Sequence, residues 1–373
     1  MIVDWLIVGA GLAGATLAER LASQFGRSVL VIDQRYHVAG NAWDEYNEHG
    51  VLVHKYGPHI FHTNNKKVWD YLSAFTEWRP YVHRVLGLVD GKLVPLPFNL
   101  NSIDQLFPTS TARRLSRKLL EIYGPEKIVP ILNLREAKDP DIQTLSDYVY
   151  NSVFLNYTKK QWGIHPEELS PSVTARVPVL ISRDDRYFRD AYQGIPLPGY
   201  GAMVRRMLSH PNIHLELNTR WSDIKNYVPF KRMVFTGPVD EYFNYKHGEL
   251  PYRSLNLKAK THAIEHYQEA AVINFPNYND YTRITEPKWF TGQVHPCTTT
   301  LTEYPLPHAK GETIPYYPIP TEANRKHYEL YSAETCLLKS KVIFTGRLGD
   351  YMYYNMDQAV EKALNIFRGL GNA

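Results

Sequence analysis

The chain has 373 residues, of which 44% are hydrophobic and 21% are charged. These proportions are typical of a globular protein and exclude a disordered or fibrous one. Since domains commonly contain about 100–200 residues, the length predicts two or three of them. The formal net charge is +4, and no block of lysine and arginine is present that could track a phosphate backbone. Nucleic acid is therefore not an expected partner.

The chain begins with a pattern typical of a parallel, doubly wound sheet. Residues 4–8 form a short apolar run, and glycines, a segment with helical apolar spacing and the second apolar run SVLVIDQR follow. This order predicts strand, turn, helix and strand. Because Asp4 lies where a signal peptide would be basic, the apolar start indicates a strand. No apolar run approaches the roughly 20 residues of a membrane span.

The turn between the predicted strand and helix carries a dinucleotide fingerprint. Gly9, Gly11 and Gly14 match GxGxxG, with Ala13 at the start of the helix. The first glycine permits the tight turn, the second allows the backbone to approach a pyrophosphate, and the third allows close packing of helix on strand. Asp33 ends the second strand, where its carboxylate can bind an adenosine ribose. The fingerprint alone leaves FAD and NAD open.

The middle and end of the chain predict three further kinds of structure. Residues 102–162 have helical apolar spacing, whereas short β-rich runs at 176–179, 271–275 and 281–284 indicate an antiparallel sheet. Two apolar runs near residues 234 and 343 each end in Thr-Gly, and an amphipathic helix follows the second. The N-terminal domain is therefore expected to be completed by distant sequence. Cys297 and Cys336 form no CxxC pair, which favours a reducing compartment, the cytoplasm.

Two segments favour FAD over NAD. Arg35 follows the acid, and Gly40-Asn41 come a few residues later, a pattern that resembles the extended motif of FAD-binding oxidases and mutases. Gly346-Arg347, which lead into the last helix, resemble the second flavin-contacting segment of that group. No second GxGxxG is present to hold a nicotinamide cofactor.

Three histidines occur within the nine residues 54–62, and three interpretations compete. His59 and His62 could share a metal ion, but HxxH without HExxH or nearby cysteines is a poor zinc pattern, and no metal is expected. They could instead be core histidines with satisfied hydrogen bonds. The third interpretation, a loop against the flavin that includes His59 and Ile60, depends mainly on family resemblance.

Two arginines and an aromatic pair are candidates for substrate binding. Arg176 and Arg283 lie in short apolar contexts where an unpaired guanidinium is costly, so each requires an anionic partner. That partner is either a structural carboxylate or a substrate pyrophosphate. Tyr157 and Trp162 could stack on a nucleotide base, or pack in the core as most such pairs do.

The motifs together resemble the bacterial UDP-galactopyranose mutase family. They run in family order from residue 7 to residue 360, and HKYGPHIFHTN is among the most specific; the others include GAGLAG, HVAGNAW, YTKKQWG, RVPV, FTGPVDEYF, YTRITE, PYYPIP and FTGRLGDYMYYNMDQAV. The resemblance implies a discontinuous Rossmann-like FAD-binding domain at 1–78, 202–240 and 326–373. It also implies a helical domain at 101–163, followed by a mobile lid, and an antiparallel sheet domain at 79–100, 164–201 and 241–325.

The activity implied by the resemblance is the interconversion of UDP-galactopyranose and UDP-galactofuranose for cell-surface polysaccharide. N5 of reduced FAD would attack the anomeric carbon and UDP would leave, without net oxidation. The protein would bind a UDP-sugar and an external reductant, with a homodimer as one possible assembly. A flavin oxidase or dehydrogenase and a non-catalytic flavin-binding module are the competing hypotheses.

The resemblance also assigns residues. The catalytic group would comprise Arg176, Arg283 and His59. Substrate-binding residues would be Tyr157, Trp162, Tyr187, Asn274, Tyr317, Tyr353 and Asn355. Cofactor-binding residues would be Gly9, Gly11, Ala13, Gly14, Asp33, Gly40, Asn41, His59, Ile60, Gly346, Arg347 and Met356.

One departure from the family pattern concerns the segment before the last helix. Where the family usually has YYDMH, this chain has Tyr353-Tyr354-Asn355-Met356-Asp357. Asn355 removes a negative charge beside the expected diphosphate, and Asp357 replaces a histidine. The departure leaves the sugar nucleotide open, with UDP-N-acetylgalactosamine and dTDP-fucose as alternatives.

Overall fold

A computed structural model describes residues 2–170 and 178–371 of the chain. The strands among these residues are β1 (Val3–Val8), β2 (Val29–Ile32), β3 (Asp44–Tyr46), β4 (Leu52–His54), β5 (Phe61–Thr63), β6 (Trp78–Pro80), β7 (Val85–Val89), β8 (Lys92–Leu96), β9 (Lys127–Pro130), β10 (Pro178–Ile181), β11 (Tyr192–Pro196), β12 (Ile213–Glu216), β13 (Phe230–Phe235), β14 (Tyr252–His262), β15 (Val272–Asn274), β16 (Arg283–Thr285), β17 (Thr298–Pro307), β18 (Tyr317–Pro318) and β19 (Val342–Phe344).

The helices connect these strands and form a separate group in the middle of the chain. They are α1 (Leu12–Phe25), α2 (Lys66–Ser73), α3 (Leu100–Leu106), α4 (Thr109–Tyr123), α5 (Ile131–Leu134), α6 (Pro140–Val149), α7 (Asn156–Trp162), α8 (Tyr200–Met207), α9 (Trp221–Ile224), α10 (Val239–Tyr242), α11 (Lys288–Thr291), α12 (Glu322–Leu338), α13 (Gly346–Gly349) and α14 (Met356–Gly371). A π-helical turn, Tyr150–Leu155, joins α6 to α7.

The first sheet has five parallel strands in the order β12-β2-β1-β13-β19. Side chains of β1 alternate between its two faces. Trp5 and Ile7 pack with α1, α8 and α14 on one side, and Leu6 packs with β13 and the region of α9 on the other. Both faces are therefore covered by apolar groups, as a parallel sheet requires. The Rossmann-like fold class is confirmed.

The position of β1 explains where a ligand can bind. Its neighbours β2 and β13 lie on opposite sides, so the strand order reverses at β1. Parallel sheets bind ligands at such switch points. The glycine turn follows β1 at this point, and β13 and β19 add the Thr-Gly ends that the sequence predicts.

A seven-stranded sheet, in the order β18-β14-β17-β16-β15-β7-β8, forms the second layer. It is antiparallel except for one pair, β7 and β15, which is parallel. The predicted runs 271–275 and 281–284 are its neighbours β15 and β16. The third run is different, because β10 pairs with β9 in a separate two-stranded sheet.

Strand pairing therefore departs from the sequence-based expectation for residues 164–201. Within them, β10 pairs with β9, and β11 pairs with β5 and β6, so neither joins the seven-stranded sheet. The strand β9 also interrupts a stretch for which helices alone were predicted. Its short apolar run finds a partner through tertiary packing, which local spacing does not encode. The proposed domain limits remain a proposal.

None of the helices in residues 2–170 and 178–371 combines the length and the apolar character needed to cross a membrane.

Candidate functional site

A cleft of about 720 Å³ opens at the carboxyl ends of β1, β2 and β13. All but one of the sequence-predicted cofactor residues line it: Gly9, Gly11, Ala13, Gly14, Asp33, Gly40, Asn41, His59, Gly346, Arg347 and Met356. The exception is Ile60, which is buried beside the cleft in the core of the helical region. The structure thus brings together residues that are up to about 350 positions apart in the sequence.

The glycine turn shapes the inner wall of the cleft. Gly9 has φ = 106°, a conformation that favours glycine. A Cβ on Gly14 would lie 2.0 Å from the carbonyl oxygen of Gly9, so helix α1 approaches β1 more closely than any other residue would allow. The N-cap residue of α1 is Gly11, which has no side chain to cap the first turn. Its N–H groups therefore remain available to an anion, as dinucleotide sites require.

Asp33 and Arg35 form the next part of the cleft. The carboxylate of Asp33 accepts hydrogen bonds from the backbone N–H groups of Ala10 and Arg35, each at 2.9 Å. This fixes its orientation toward the cleft. Arg35 donates to Asn41 at 2.9 Å, while its buried Nη1 has no partner among the described residues. A buried guanidinium nitrogen without a partner is costly, and a cofactor phosphate would satisfy it. The cleft therefore fits a dinucleotide.

At the far end of the cleft, Arg347 contacts a group of aromatic residues. Its guanidinium carbon lies 5.1 Å from the ring centre of Tyr317 and 5.4 Å from that of Tyr353. Trp162 packs edge-on against Tyr353, with ring centres 5.5 Å apart. Three predicted substrate residues therefore surround one predicted cofactor residue.

An ion pair between Arg283 and Glu303 lies beside these aromatic rings. Nε and Nη2 of Arg283 donate to Oε2 of Glu303, at 2.9 and 2.8 Å. The glutamate side chain is 1% exposed, whereas that of the arginine is 23% exposed. The structural-carboxylate alternative for Arg283 is therefore realised. Because the arginine side chain is only partly covered, Arg283 can still contact a second anion.

Tyrosine hydroxyls surround this ion pair. Burial raises the pKa of Tyr157, whose other electrostatic neighbours include Arg283, Glu303, Tyr187 and Tyr353. Burial also raises the pKa of Tyr317, as do Tyr353 and Glu303. Both hydroxyls thus keep their protons at neutral pH and can donate hydrogen bonds to an anion.

His59 lies where the cofactor cleft meets this polar group. Its Nδ1 is 2.9 Å from the carbonyl oxygen of Gly57, an atom that only accepts, so Nδ1 carries the proton and Nε2 has a lone pair. Burial lowers the pKa of His59 to about 4, with Arg347 and Arg283 acting in the same direction. His59 is therefore a neutral hydrogen-bond acceptor at physiological pH.

The neighbouring histidines each have separate partners, which argues against a shared metal ion. His62 stacks on Phe188 and contacts Asp190 through Nδ1 at 2.9 Å. His54 accepts the backbone N–H of His59 at 3.2 Å. Among the residues that the structure describes, no group of three or more potential ligands is arranged to hold a metal ion.

The remaining predicted residues are distributed as follows. Asn274 is buried opposite Arg283 across the β15–β16 pair, and its Oδ1 has no partner within the described ranges. Tyr187 packs edge-on against His83. Asn355 lines the cleft where α14 begins. Arg176 lies outside the described residues.

The other departure from the family pattern, Asp357, is in the first turn of α14. It accepts a hydrogen bond from Thr63 at 2.9 Å, which ties this helix to β5. Its side chain does not line the cleft, in contrast to Asn355. Of the two departures, Asn355 is therefore the one placed to affect ligand binding.

Sequence reasoning did not assign three residues that the structure brings into the site. Glu303 is the direct partner of Arg283, His83 lies against Tyr187, and Arg35 has the unsatisfied nitrogen in the cleft. The sequence signalled Arg35 through the basic position after Asp33. Glu303 and His83 lack a local pattern, because their partners are distant in the sequence.

The burial of three histidines predicts a pH-dependent stability. Burial lowers the pKa of His54 and of His83 to about 3 and that of His59 to about 4, while an unfolded histidine titrates near 6.5. Between the folded and unfolded pKa values, the unfolded state binds more protons than the folded state. The free energy of unfolding therefore has its full value above about pH 6.5 and decreases as the pH falls. With three such protons, the slope should approach about 4 kcal/mol per pH unit near pH 5. Urea unfolding at pH 7.5, 6.0 and 5.0 measures it.

Two variants test the origin of this slope. His83→Asn should reduce it by about a third, since one of three protons is removed from the balance. His214→Asn, which replaces an exposed histidine on β12, should leave it unchanged. A wild-type free energy of unfolding that stays constant from pH 7.5 to 5.0 would contradict the assignment of neutral buried histidines.

Comparison with protein families gives an independent result. The family model for UDP-galactopyranose mutase matches residues 152–353, and a model for NAD(P)-binding Rossmann-like domains matches residues 7–75. A probable UDP-galactopyranose mutase of Klebsiella pneumoniae is 37% identical over 370 residues, which cover 96% of this chain and 92% of that protein. The chain belongs to the UDP-galactopyranose mutase family. The resemblance seen in its motifs is confirmed.

Three further similarities define the limits of this result. A dTDP-fucopyranose mutase of Escherichia coli is 33% identical, with 96% of each chain covered. A crystal structure of reduced UDP-galactopyranose mutase superimposes with a TM-score of 0.75 over 100% of this chain and 95% of that one, at 16% identity. The second match supports the fold. A putative protoporphyrinogen oxidase matches with a TM-score of 0.66 at 12% identity, which also shows shared fold alone.

Membership in this family decides two questions that the fingerprint left open. The protein is an enzyme of the mutase class, an isomerase. Its cofactor is FAD, because the Rossmann-like turn occurs in a member of a flavin-dependent family.

Proposed function

We propose that this protein interconverts UDP-galactopyranose and UDP-galactofuranose. The observation that carries the proposal is the partly exposed Arg283, paired with buried Glu303. Its electrostatic neighbours include Tyr157 and Tyr317, and Tyr317 contacts Arg347, which lines the FAD cleft. A guanidinium in this setting suits a diphosphate. Together with family membership, the arrangement favours a sugar nucleotide as substrate.

The chain's own residues would perform three tasks around the substrate. Arg283 would stabilise the negative charge that develops on the departing diphosphate. Tyr157 and Tyr317 would donate hydrogen bonds to it. Trp162 would form the apolar wall for the uracil or the sugar. Reduced FAD, when bound, supplies the nucleophile for the anomeric carbon.

His59 would act at the junction between cofactor and sugar. Its Nδ1 proton is held by the carbonyl of Gly57, so Nε2 can only accept a hydrogen bond. The low pKa of His59 keeps this state across the neutral range. Gly9, Gly11, Gly14 and Asp33 would hold the adenosine diphosphate half of FAD.

The proposed activity predicts turnover that depends on the reduced state. Dithionite-reduced protein incubated with UDP-galactofuranose should form UDP-galactopyranose, and the air-oxidised protein should not. Chromatographic separation of the two sugar nucleotides measures the conversion. Absence of conversion with every UDP- and dTDP-sugar, in protein that carries stoichiometric flavin, would contradict the proposal.

A second candidate is the same chemistry on dTDP-fucose. Two observations favour including it: the 33% identity to a dTDP-fucopyranose mutase and Asn355, which lines the cleft where the family usually has an acid. The ratio of kcat/KM for the two substrates decides between them. A flavin oxidase would instead consume oxygen in proportion to substrate.

The cellular setting is also a proposal. Both cysteines are free, which is consistent with the reducing cytoplasm, and activity in the reduced state requires an external reductant. We further propose a homodimer, which sedimentation velocity at several protein concentrations would test. Arg176 keeps its proposed role in binding the diphosphate from the family motif alone.

A further inference from the structure

Lys160 has an unusual set of partners for a lysine. It lies on α7, between Tyr157 and Trp162, and its side chain is half-buried. Its ammonium group donates to the carbonyl oxygens of Phe275, Asn279 and Tyr281, the last two at 3.1 and 2.9 Å. All three acceptors belong to one turn. The ammonium group therefore fills the inside of that turn.

The turn in question, residues 275–281, joins two predicted substrate residues. Asn274 and Arg283 face each other across the β15–β16 pair, and the backbone N–H of Phe275 donates to the carbonyl of Thr282 at 2.8 Å. A shift of the base of the turn, at Phe275 and Tyr281, would therefore displace both side chains. Helix α7, on the other side of Lys160, carries Tyr157 and Trp162.

The partners of Lys160 indicate that this position requires a side chain that donates several hydrogen bonds. Burial lowers the pKa of this lysine to about 8, and the negative charge of Asp280 partly opposes the shift. Its bonded partners are main-chain carbonyls, with no carboxylate among those that the described residues provide. An apolar side chain of similar length would fill the same space without this desolvation cost. An ammonium group has three N–H donors for the three carbonyl oxygens, whereas an apolar side chain has none.

The C-terminal end of α7 is held separately. Arg253, on β14, donates from Nε to the carbonyl of Gln161 and from Nη2 to that of Lys160, both at 2.9 Å. The helix is thus anchored to β14 at its end. Of Arg253 and Lys160, it is Lys160 that connects α7 to the turn at residues 275–281.

We propose that Lys160 is a positioning residue that sets the distance between the aromatic pair on α7 and Asn274 and Arg283 on β15 and β16. It fixes two walls of one nucleotide-binding site relative to each other. The inference builds on the proposed function, because it takes these four residues as ligands of the substrate's nucleotide.

Hydrogen bonds between uncharged groups also connect this helical segment to the turn, and they provide a comparison for Lys160. Asn156 donates to Oδ1 of Asn277 at 2.8 Å, and Asn277 donates to the carbonyl of Ser152 at 2.8 Å. These bonds hold the outer part of the turn, where Tyr278 is almost fully exposed. Replacing Asn156 with alanine should therefore loosen the tip of the turn without moving Asn274 or Arg283.

The test is chemical rescue of Lys160→Ala in the flavin-loaded, reduced enzyme. The variant should bind UDP about 10- to 100-fold more weakly and raise KM similarly, because three charge-assisted hydrogen bonds are lost. Since alanine keeps Cβ, propylammonium replaces the missing atoms, and tens of millimolar should restore binding. Propanol at the same concentration should not. Asn156→Ala should stay within about threefold of wild type in UDP affinity.

Three outcomes would overturn the inference: wild-type UDP affinity in Lys160→Ala, equal rescue by propanol, or an equal defect in Asn156→Ala. Lys160→Gln provides a second variant if alanine prevents folding, with a defect between wild type and alanine expected. Hydrogen exchange gives a readout independent of substrate. Amides of residues 276–281 should exchange faster in Lys160→Ala than in the wild type. Their exchange rates should be unchanged in Lys66→Ala, which replaces an exposed lysine on α2.

Failure of the proposed function would give different results in the binding and exchange experiments. In that case the wild-type enzyme binds neither UDP nor dTDP, while the exchange rates of the turn still respond to Lys160→Ala. Failure of the Lys160 inference leaves wild-type binding intact and the exchange rates of the turn unchanged by the substitution.

Discussion

Replacing Arg283 with methionine should lower kcat/KM by about 100- to 1,000-fold and also destabilise the protein. The two effects have separate causes. The substrate loses a guanidinium that would stabilise the leaving diphosphate, a loss of about 100- to 1,000-fold in comparable sites. In addition, Glu303, which is 1% exposed, is left as a buried charge without its partner, at a cost of about 3–5 kcal/mol. Initial rates with reduced enzyme and urea unfolding measure the two effects separately.

A double variant separates the two roles of this arginine. In Arg283→Met/Glu303→Gln the unpaired charge is removed, so the free energy of unfolding should recover most of its loss. Activity should remain low, because the diphosphate still lacks its cation. If activity returns together with stability, Arg283 serves the fold alone and the proposed substrate contact is wrong.

Replacing Gly14 with alanine should yield protein that retains little flavin. The new Cβ would lie 2.0 Å from the carbonyl oxygen of Gly9 and 3.1 Å from Cγ2 of Ile7. The first contact is with backbone, which cannot move aside as a flexible side chain can, so α1 must shift away from β1. The N–H groups at the start of α1 would then miss the pyrophosphate. The ratio of flavin absorbance near 450 nm to protein absorbance measures the loss.

The matched control is Gly369→Ala on α14. A Cβ there meets no atom within 4 Å, and alanine is favoured over glycine in a helix by up to about 1 kcal/mol. This variant should keep its flavin and unfold at slightly higher urea concentration. Full flavin content in Gly14→Ala would contradict the close approach of α1 to β1.

The cofactor half of the site is largely predictable from sequence. Gly9, Gly11, Gly14 and Asp33 lie within one strand-turn-helix-strand unit, where short-range geometry fixes their relative positions. The second contributions, at Gly346 and Arg347, were predicted because their segment resembles the second flavin-contacting segment of FAD-binding enzymes. Both groups line the same cleft in the structure.

The substrate half depends on contacts that local patterns do not contain. Arg283 was expected to need an anion, and the register of β16 against β17 supplies Glu303 from 20 residues away. The partners of Lys160 are main-chain carbonyls, which leave no trace in side-chain identity. The pairing of β10 with β9 was missed for the same reason, since a short apolar run does not specify its partner.

The sequence by itself therefore determined the fold class, the dinucleotide turn and the family, because these depend on residues within short reach of one another or on motifs in fixed order. Tertiary structure decided which charges meet. It placed Glu303 on Arg283, made His59 a neutral acceptor and set Lys160 inside a turn more than 110 residues away. Such contacts arise when distant segments pack, and burial then assigns the charge state of each group.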